Sequence, residues 1–278
     1  MEAIKISSSM KKILFPTDFS VSASNAFRYT VELAKAIDAK IDVVNVYNLP
    51  FIDATSLPAG NMEQMLEEKR MLVQDKLEAF AAAEPDAPLG SLLPLYGIFV
   101  PEEIRDLVTS SNYALVVMGT SGEHNLMEKA LGSITTFTMM NAGCPVLAVP
   151  EDAAWHDIDY IAFATDFLPH EQQAVAQLMK FAEKVEAEVF FVHVETKPSI
   201  GTMQDFVTLA EYPYKFTDFA IVNSPTVMEG IDGFIKEKHI DLLALYIPKR
   251  RLWERLFHSS FTKRMAFHSK TPLLVFHE

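Results

Sequence analysis

Residues 12–20 read KILFPTDFS, and residues 160–168 read YIAFATDFL. Ile13, Phe15 and Asp18 recur as Ile161, Phe163 and Asp166 at an offset of 148. The same offset carries Ala26 to Ala174, Ala34 to Ala182, Val44 to Val192 and Val46 to Val194 without a gap. Later in each copy the offset is 127: Leu115 matches Leu242, Ser133 matches Ser260, Thr135 matches Thr262 and Pro145 matches Pro272. A repeat on this scale means two copies of one folding unit. The second copy is shorter by 21 residues (148 − 127), lost between its second strand and the middle of the unit. The domains are expected at 1–150 and 151–278, with the join near Pro150 to His156.

Each copy alternates short apolar runs with stretches of helical periodicity, which implies α/β units with parallel sheets and helices on both faces. In the first copy the strands are expected at 13–17, 41–47, 92–96, 114–118 and 145–149. Ala26, Thr30, Leu33, Ala34 and Ile37 keep one helical face. Residues 62–83 and 102–110 read as further helices, and another opens at about Ser133. Five strands and four crossovers make a Rossmann-like domain, whose ligands sit beyond the carboxyl ends of the strands.

Four features converge on that edge: Pro16-Thr17-Asp18 after the first strand, Val46 at the end of the second, Gly119 to Gly122 leaving the fourth, and Gly132-Ser133 opening a helix. Met118, Ser121, Ile134 and Thr135 flank them. Glycines let backbone N–H groups approach an anion closely, and a helix N-terminus supplies unpaired donors with partial positive charge. Ser133 is able to cap that helix or donate to a phosphate oxygen. Asp18 is an acceptor suited to ribose hydroxyls or an adenine amine; alternatively it caps the helix that starts near Ser22.

The spacing Gly119-x2-Gly122-x9-Gly132-Ser133 resembles the ATP-binding signature of the universal stress protein family. KKILFPTDFS (11–20) resembles that family's first strand, and GCPVLAVP (143–150) its last. The resemblance implies two Rossmann-like, adenine-nucleotide α-hydrolase-like domains with strand order 3-2-1-4-5. It implies pairing through the last strand and binding of ATP or a related adenine nucleotide, with or without Mg. It places Asp18 on the ribose, Val46 on the adenine, and Gly119, Gly122, Gly132 and Ser133 on the phosphates, with Pro16, Thr17, Met118, Ser121, Ile134 and Thr135 as neighbours.

The second copy carries Tyr246, Lys249, Ser259 and Ser260 at the matching positions, and Ala164 in place of Pro16. Side chains there obstruct close approach to a polyphosphate, so one nucleotide per chain is expected. The segment KRRLWERLFH (249–258) is basic and partly aromatic; it reads first as a solvated, partly packed loop and second as a grip for an anionic ligand or partner. His193 reads as a packed or capping residue within a strand, and His124 as an exposed polar loop residue.

Other chemistry is thin. No P-loop lysine motif is present, no His pair has metal-ligand spacing, and Cys144 is the single cysteine, expected to be buried beside Pro145. A net charge of −13 argues against a general nucleic-acid binder, and no run is long and apolar enough to span a bilayer. The absence of a signal-peptide pattern suggests a cytoplasmic protein. Three functions follow, in order: a nucleotide-binding stress-response regulator, a nucleotide-independent interaction scaffold, and a weak ATPase. In each copy the last strand needs a cover. The expected solution is a pseudo-dimer in which 146–149 pairs antiparallel with 273–276 within one chain, leaving further homodimerisation open.

Overall fold

The computed structural model describes residues 12–49, 59–120, 133–166, 171–196, 218–247 and 271–277. Apolar runs become strands and amphipathic stretches become helices, alternating throughout the first half. The first half runs β1 (Lys12–Pro16), α1 (Val21–Ala36), β2 (Lys40–Tyr47), α2 (Ala59–Ala81), β3 (Leu89–Tyr96), α3 (Val100–Ser111), β4 (Leu115–Thr120), α4 (Ser133–Asn141) and β5 (Val146–Pro150). The second half follows with β6 (Tyr160–Ala164), α5 (Gln172–Val185), β7 (Glu188–Glu195), β8 (Asp218–Asn223), α6 (Val227–Lys238), β9 (Leu242–Ile247) and β10 (Leu273–His277).

The strands form one ten-stranded sheet in the order β3-β2-β1-β4-β5-β10-β9-β6-β7-β8. Each half is therefore a parallel unit of order 3-2-1-4-5, and the two are joined edge to edge. The join is antiparallel, the one such pair among the described residues: Leu273 faces Ala148, Leu274 faces Leu147 and Val275 faces Val146. Every residue of β5 is buried, so the edge that each half would expose is satisfied by its sibling.

Both faces are covered. On one, Leu33 of α1, Leu77 of α2 and Leu178 of α5 pack with Phe15, Phe163, Leu147 and Leu274. On the other, Ile104 of α3, Met139 of α4 and Phe234 of α6 pack with Leu14, Val116, Leu243 and Val275. Each apolar layer is continuous through the join. Residues 151–159 are held as well. Asn25 Nδ2 donates to the carbonyls of Ala153 (2.8 Å) and Pro150 (3.3 Å). Trp155 stacks edge-on against Tyr29, and the Asp241 carboxylate accepts from the N–H groups of Asp159 and Tyr160.

The register locates the missing residues. Val44 faces Leu93 on β3, and Val192 faces Ala220 on β8, so the offset has already fallen from 148 to 127 at the third strand. All 21 residues are thus absent from the crossover that carries α2 in the first half. Elsewhere the repeat holds down to backbone angles. Asp38 (φ 55°) and Glu186 (φ 59°) leave equivalent helices in the left-handed region, as do Asn112 and His239 (both φ 53°).

A buried polar network closes the amino-terminal edge of the first half. Asp42, 2% exposed, accepts from Lys12 Nζ (3.3 Å), Tyr113 OH (2.8 Å) and Ser91 N (2.6 Å). It ties β1, β2, β3 and the approach to β4 through one carboxylate.

Candidate functional site

At the carboxyl end of β1 the chain makes a short, fully hydrogen-bonded turn into α1. Thr17 N donates to Val44 O (2.9 Å), and Thr17 Oγ1 accepts from Phe19 N (3.0 Å). Phe19 adopts φ 64°, which turns the chain upward. Asn45 Nδ2 holds the Thr17 carbonyl from β2 at 2.7 Å. Ser20 is the cap of α1, its Oγ accepting from Ala23 N at 3.1 Å. The capping role considered for Asp18 therefore belongs to Ser20. Asp18 accepts from Ser20 N through Oδ1 (2.9 Å) and is exposed; its Oδ2 makes no hydrogen bond among the described residues. The turn thus presents a carboxylate oriented by one backbone donor.

Pro16, Thr17 and Asp18 stand between half-buried Val46 on β2 and Met118-Gly119 on β4, on three adjacent strands. Gly119 is glycine for a packing reason: a Cβ there would lie 2.8 Å from Ser22 O and 3.0 Å from Ser22 C. The strand end approaches the first turn of α1 backbone to backbone, which no side chain permits. Ser133 is the first residue of α4, Ile134 is exposed, and Thr135 is buried. Ser121, Gly122 and Gly132 lie outside the described residues, as do His124, Lys249, Ser259, Ser260 and the basic segment 249–258.

The second half repeats the turn and then fills it. Thr165 N donates to Val192 O (3.0 Å), as Thr17 does to Val44. His193, equivalent to Asn45, places Nδ1 2.8 Å from the Thr165 carbonyl, with Asp166 Oδ1 3.6 Å away. The packed reading of His193 is correct. Glu171, buried, accepts from both Thr165 Oγ1 and Asp166 N. This accounts for the retained threonine, whereas Asp166 gives Glu171 only its backbone N–H. Tyr246 takes the place of Gly119, facing Phe276 as Gly119 faces Val149.

Asn45 and Ser20 were not singled out from the sequence. The internal repeat offers a partial signal, since Asn45 and His193 are both polar residues inside apolar strands at an offset of 148. Burial pushes the Cys144 thiol up to about 12, which leaves it a protonated, unreactive group at neutral pH. Among the described residues no group of His, Cys, Asp or Glu has a metal-binding arrangement, and no helix is long and apolar enough to cross a membrane.

The fold and the turn define a Rossmann-like α/β unit built to present groups at the ends of β2, β1 and β4. The model of the universal stress protein family matches residues 10–150, and the chain belongs to that family. A universal stress protein of Methanocaldococcus jannaschii is 31% identical over 144 residues, covering 50% of this chain and 81% of its own length. Among solved structures, a universal stress protein from Archaeoglobus fulgidus superposes with a TM-score of 0.68 at 20% identity, over 96% of this chain and 98% of its own. A structure described as a universal stress protein from Pseudomonas aeruginosa covers 97% and 94% at a TM-score of 0.61 and 12% identity. Those two likenesses span both halves, so the tandem arrangement is a shared fold.

Proposed function

We propose that the first half, residues 1–150, binds ATP or a related adenine nucleotide, and that the second half, residues 151–278, does not. The observation that carries this is the open Asp18 carboxylate, oriented by Ser20 N between Val46 and Gly119. It is combined with the spacing Gly119-x2-Gly122-x9-Gly132-Ser133 ahead of α4. A carboxylate suits ribose hydroxyls, a half-buried valine suits a base face, and a glycine loop leading into a helix N-terminus suits phosphates. The nucleotide would bind with or without Mg. The protein acts as a cytoplasmic stress-response regulator, with nucleotide occupancy setting the conformation of the first half.

Slow turnover at most is expected. Phosphoryl transfer needs positioned charge and a group that orients the attacking water, and the turn supplies chiefly backbone donors. The test is calorimetric titration of ATP into the full chain. Asp18→Asn should weaken binding about tenfold, the loss of one charge-assisted hydrogen bond. Gly132→Val should abolish it with the circular dichroism spectrum unchanged. Undiminished binding by the Gly132 variant would overturn the reading.

A further inference from the structure

Strands β2 and β3 end side by side on Tyr47 and Tyr96, which are partners in the parallel register and meet edge-on with ring centres 5.9 Å apart. Side chains alternate along a strand, so Tyr47 stands on the face of the sheet opposite Val46. Tyr47 packs in the apolar layer of α1 and α2, and Val46 in that of α3 and α4. The two phenols are therefore separate from the position proposed for the nucleotide base. With the amino-terminal half of α2 they line an open cavity of about 700 Å³. Glu63, Leu66, Glu67 and Arg70, at i, i+3, i+4 and i+7, form one stripe of the helix along it, and Met71 adds an apolar flank.

The charge of the lining is negative, three glutamates against one arginine. Arg70 is committed, donating to both oxygens of Glu67 at 2.6 and 2.8 Å, and Glu68 accepts from Gln64 Nε2 at 2.8 Å. Glu63 has no ion pair or hydrogen bond among the described residues. Tyr47 is only 8% exposed, and its hydroxyl makes no hydrogen bond among the described residues. Burial raises its ionisation above the ordinary range, and Arg70, Glu67 and Tyr96, all in the lining, are the groups whose charge reaches it. The hydroxyl is thus turned into the cavity, where a buried polar group without a partner is costly unless a ligand meets it. This aromatic corner is peculiar to the first half: the matching residues are Glu195 and Asn223, opposed in the same register.

We propose that this cavity binds a small primary alkylammonium ion. Its N–H groups donate to the Tyr47 hydroxyl and to Glu63, its charge lies against the Tyr96 ring, and its alkyl chain packs on Leu66 and Met71. Each feature of the lining selects one property of that ligand. Negative charge rejects anions and draws cations. The free phenol oxygen calls for an N–H donor, which a quaternary ammonium lacks. Electron-rich rings attract the ammonium, and the volume suits a small molecule. Arg70 competes with the ligand for Glu67, so a residue of the site itself limits the affinity.

Full-length protein with labelled tyrosines is titrated at neutral pH and low salt with hexylamine, its neutral counterpart hexanol, and hexanoate. Binding is read from the ring resonances of Tyr47 and Tyr96. Hexylamine should bind about tenfold or more tighter than hexanol, the worth of one charge-assisted hydrogen bond, and hexanoate should not bind. Glu63→Gln and Tyr47→Phe, which keeps the buried ring, should each weaken hexylamine about tenfold while leaving hexanol unchanged. Tyr96→Ala should weaken it about threefold. Arg70→Gln releases the Glu67 carboxylate and should strengthen hexylamine binding, a gain that added salt erases and that a merely structural role would not produce. Equal affinity for hexylamine and hexanol overturns the proposal, as does an affinity for hexylamine unchanged in Glu63→Gln. Ring resonances that no probe moves overturn it as well. None of these outcomes bears on the nucleotide reading, because the two sites lie on opposite faces of the sheet.

Discussion

The two halves reach one topology with opposite chemistry at both edges of the sheet. At the amino-terminal edge the first half buries Asp42 among Lys12, Tyr113 and Ser91. The equivalent residues of the second half are Phe190, Tyr160, Ile240 and, for Ser91, Asp218. There Phe190 lies between Tyr160 (5.8 Å) and Phe234 (6.2 Å). At the carboxyl edge both halves keep an exposed aspartate, Asp18 and Asp166, but the first sets it beside a backbone-tight glycine, whereas the second adds His193 and a buried Glu171 and has Tyr246 in the glycine's place. Strand order, register and left-handed helix exits survive these exchanges. The fold is therefore set by the apolar alternation and the helix ends. The polar groups are local choices, and a buried ion pair is often replaceable by well-packed apolar groups at little cost. Where the halves differ is where function is free to reside.

The strongest way to break the comparison is at the seam both halves share. Leu147 and Leu274 face each other, fully buried, in the antiparallel pair. Leu147→Asp with Leu274→Asp puts two carboxylates against each other without a counter-charge, at about 3–5 kcal/mol for each uncompensated buried charge. The expected result is loss of the cooperative melt, with dye-detectable apolar surface. An unchanged melting temperature would show that the seam does not hold the halves together.

A smaller effect separates the two amino-terminal edges. Asp42→Ala removes the acceptor shared by Lys12, Tyr113 and Ser91 and is expected to cost about 3 kcal/mol in urea unfolding. In a Tyr113→Phe background the same change should cost less, because the two side chains share one hydrogen bond. Additive losses would contradict the network.

Smaller still is a pH dependence carried by two phenols of the first half. Burial, and for Tyr113 the hydrogen bond to Asp42, raise the ionisation of Tyr29 and Tyr113 well above the ordinary 10. In the folded chain both stay protonated at a pH where the unfolded chain releases the proton. The unfolded state then binds fewer protons, so the stability these groups contribute is complete below pH 10 and declines as pH rises beyond it. Urea midpoints should fall from pH 10 to 11, and Tyr113→Phe should flatten part of that slope. An unaltered slope in the variant would place the effect elsewhere.

The repeat, the alternation of elements and the seam between β5 and β10 were legible in the sequence, because each rests on local periodicity or on the need to cover an apolar edge. Strand limits moved by a few residues: β3 begins at Leu89 rather than 92, where pairing with β2 extends it past the apolar run. The Asp42 network was not legible. Its partners lie 30, 49 and 71 residues away, and a lone aspartate in an apolar strand carries no local sign of what will meet it. The same holds for Glu171, whose carboxylate folds back on Thr165 and Asp166 within six residues with nothing in the local pattern to announce it. Gly119 was legible as a glycine that matters. Its contact with Ser22 adds a packing reason to the one drawn from phosphate approach.

The central claim is an asymmetry: one half with a nucleotide site and one half with that site filled by its own side chains. Isothermal titration of ATP into full-length protein measures it directly as a stoichiometry. The account expects one ATP per chain, lost in Gly132→Val and untouched by Tyr246→Gly. Two equivalent sites per chain, or a single site that survives Gly132→Val, would contradict it.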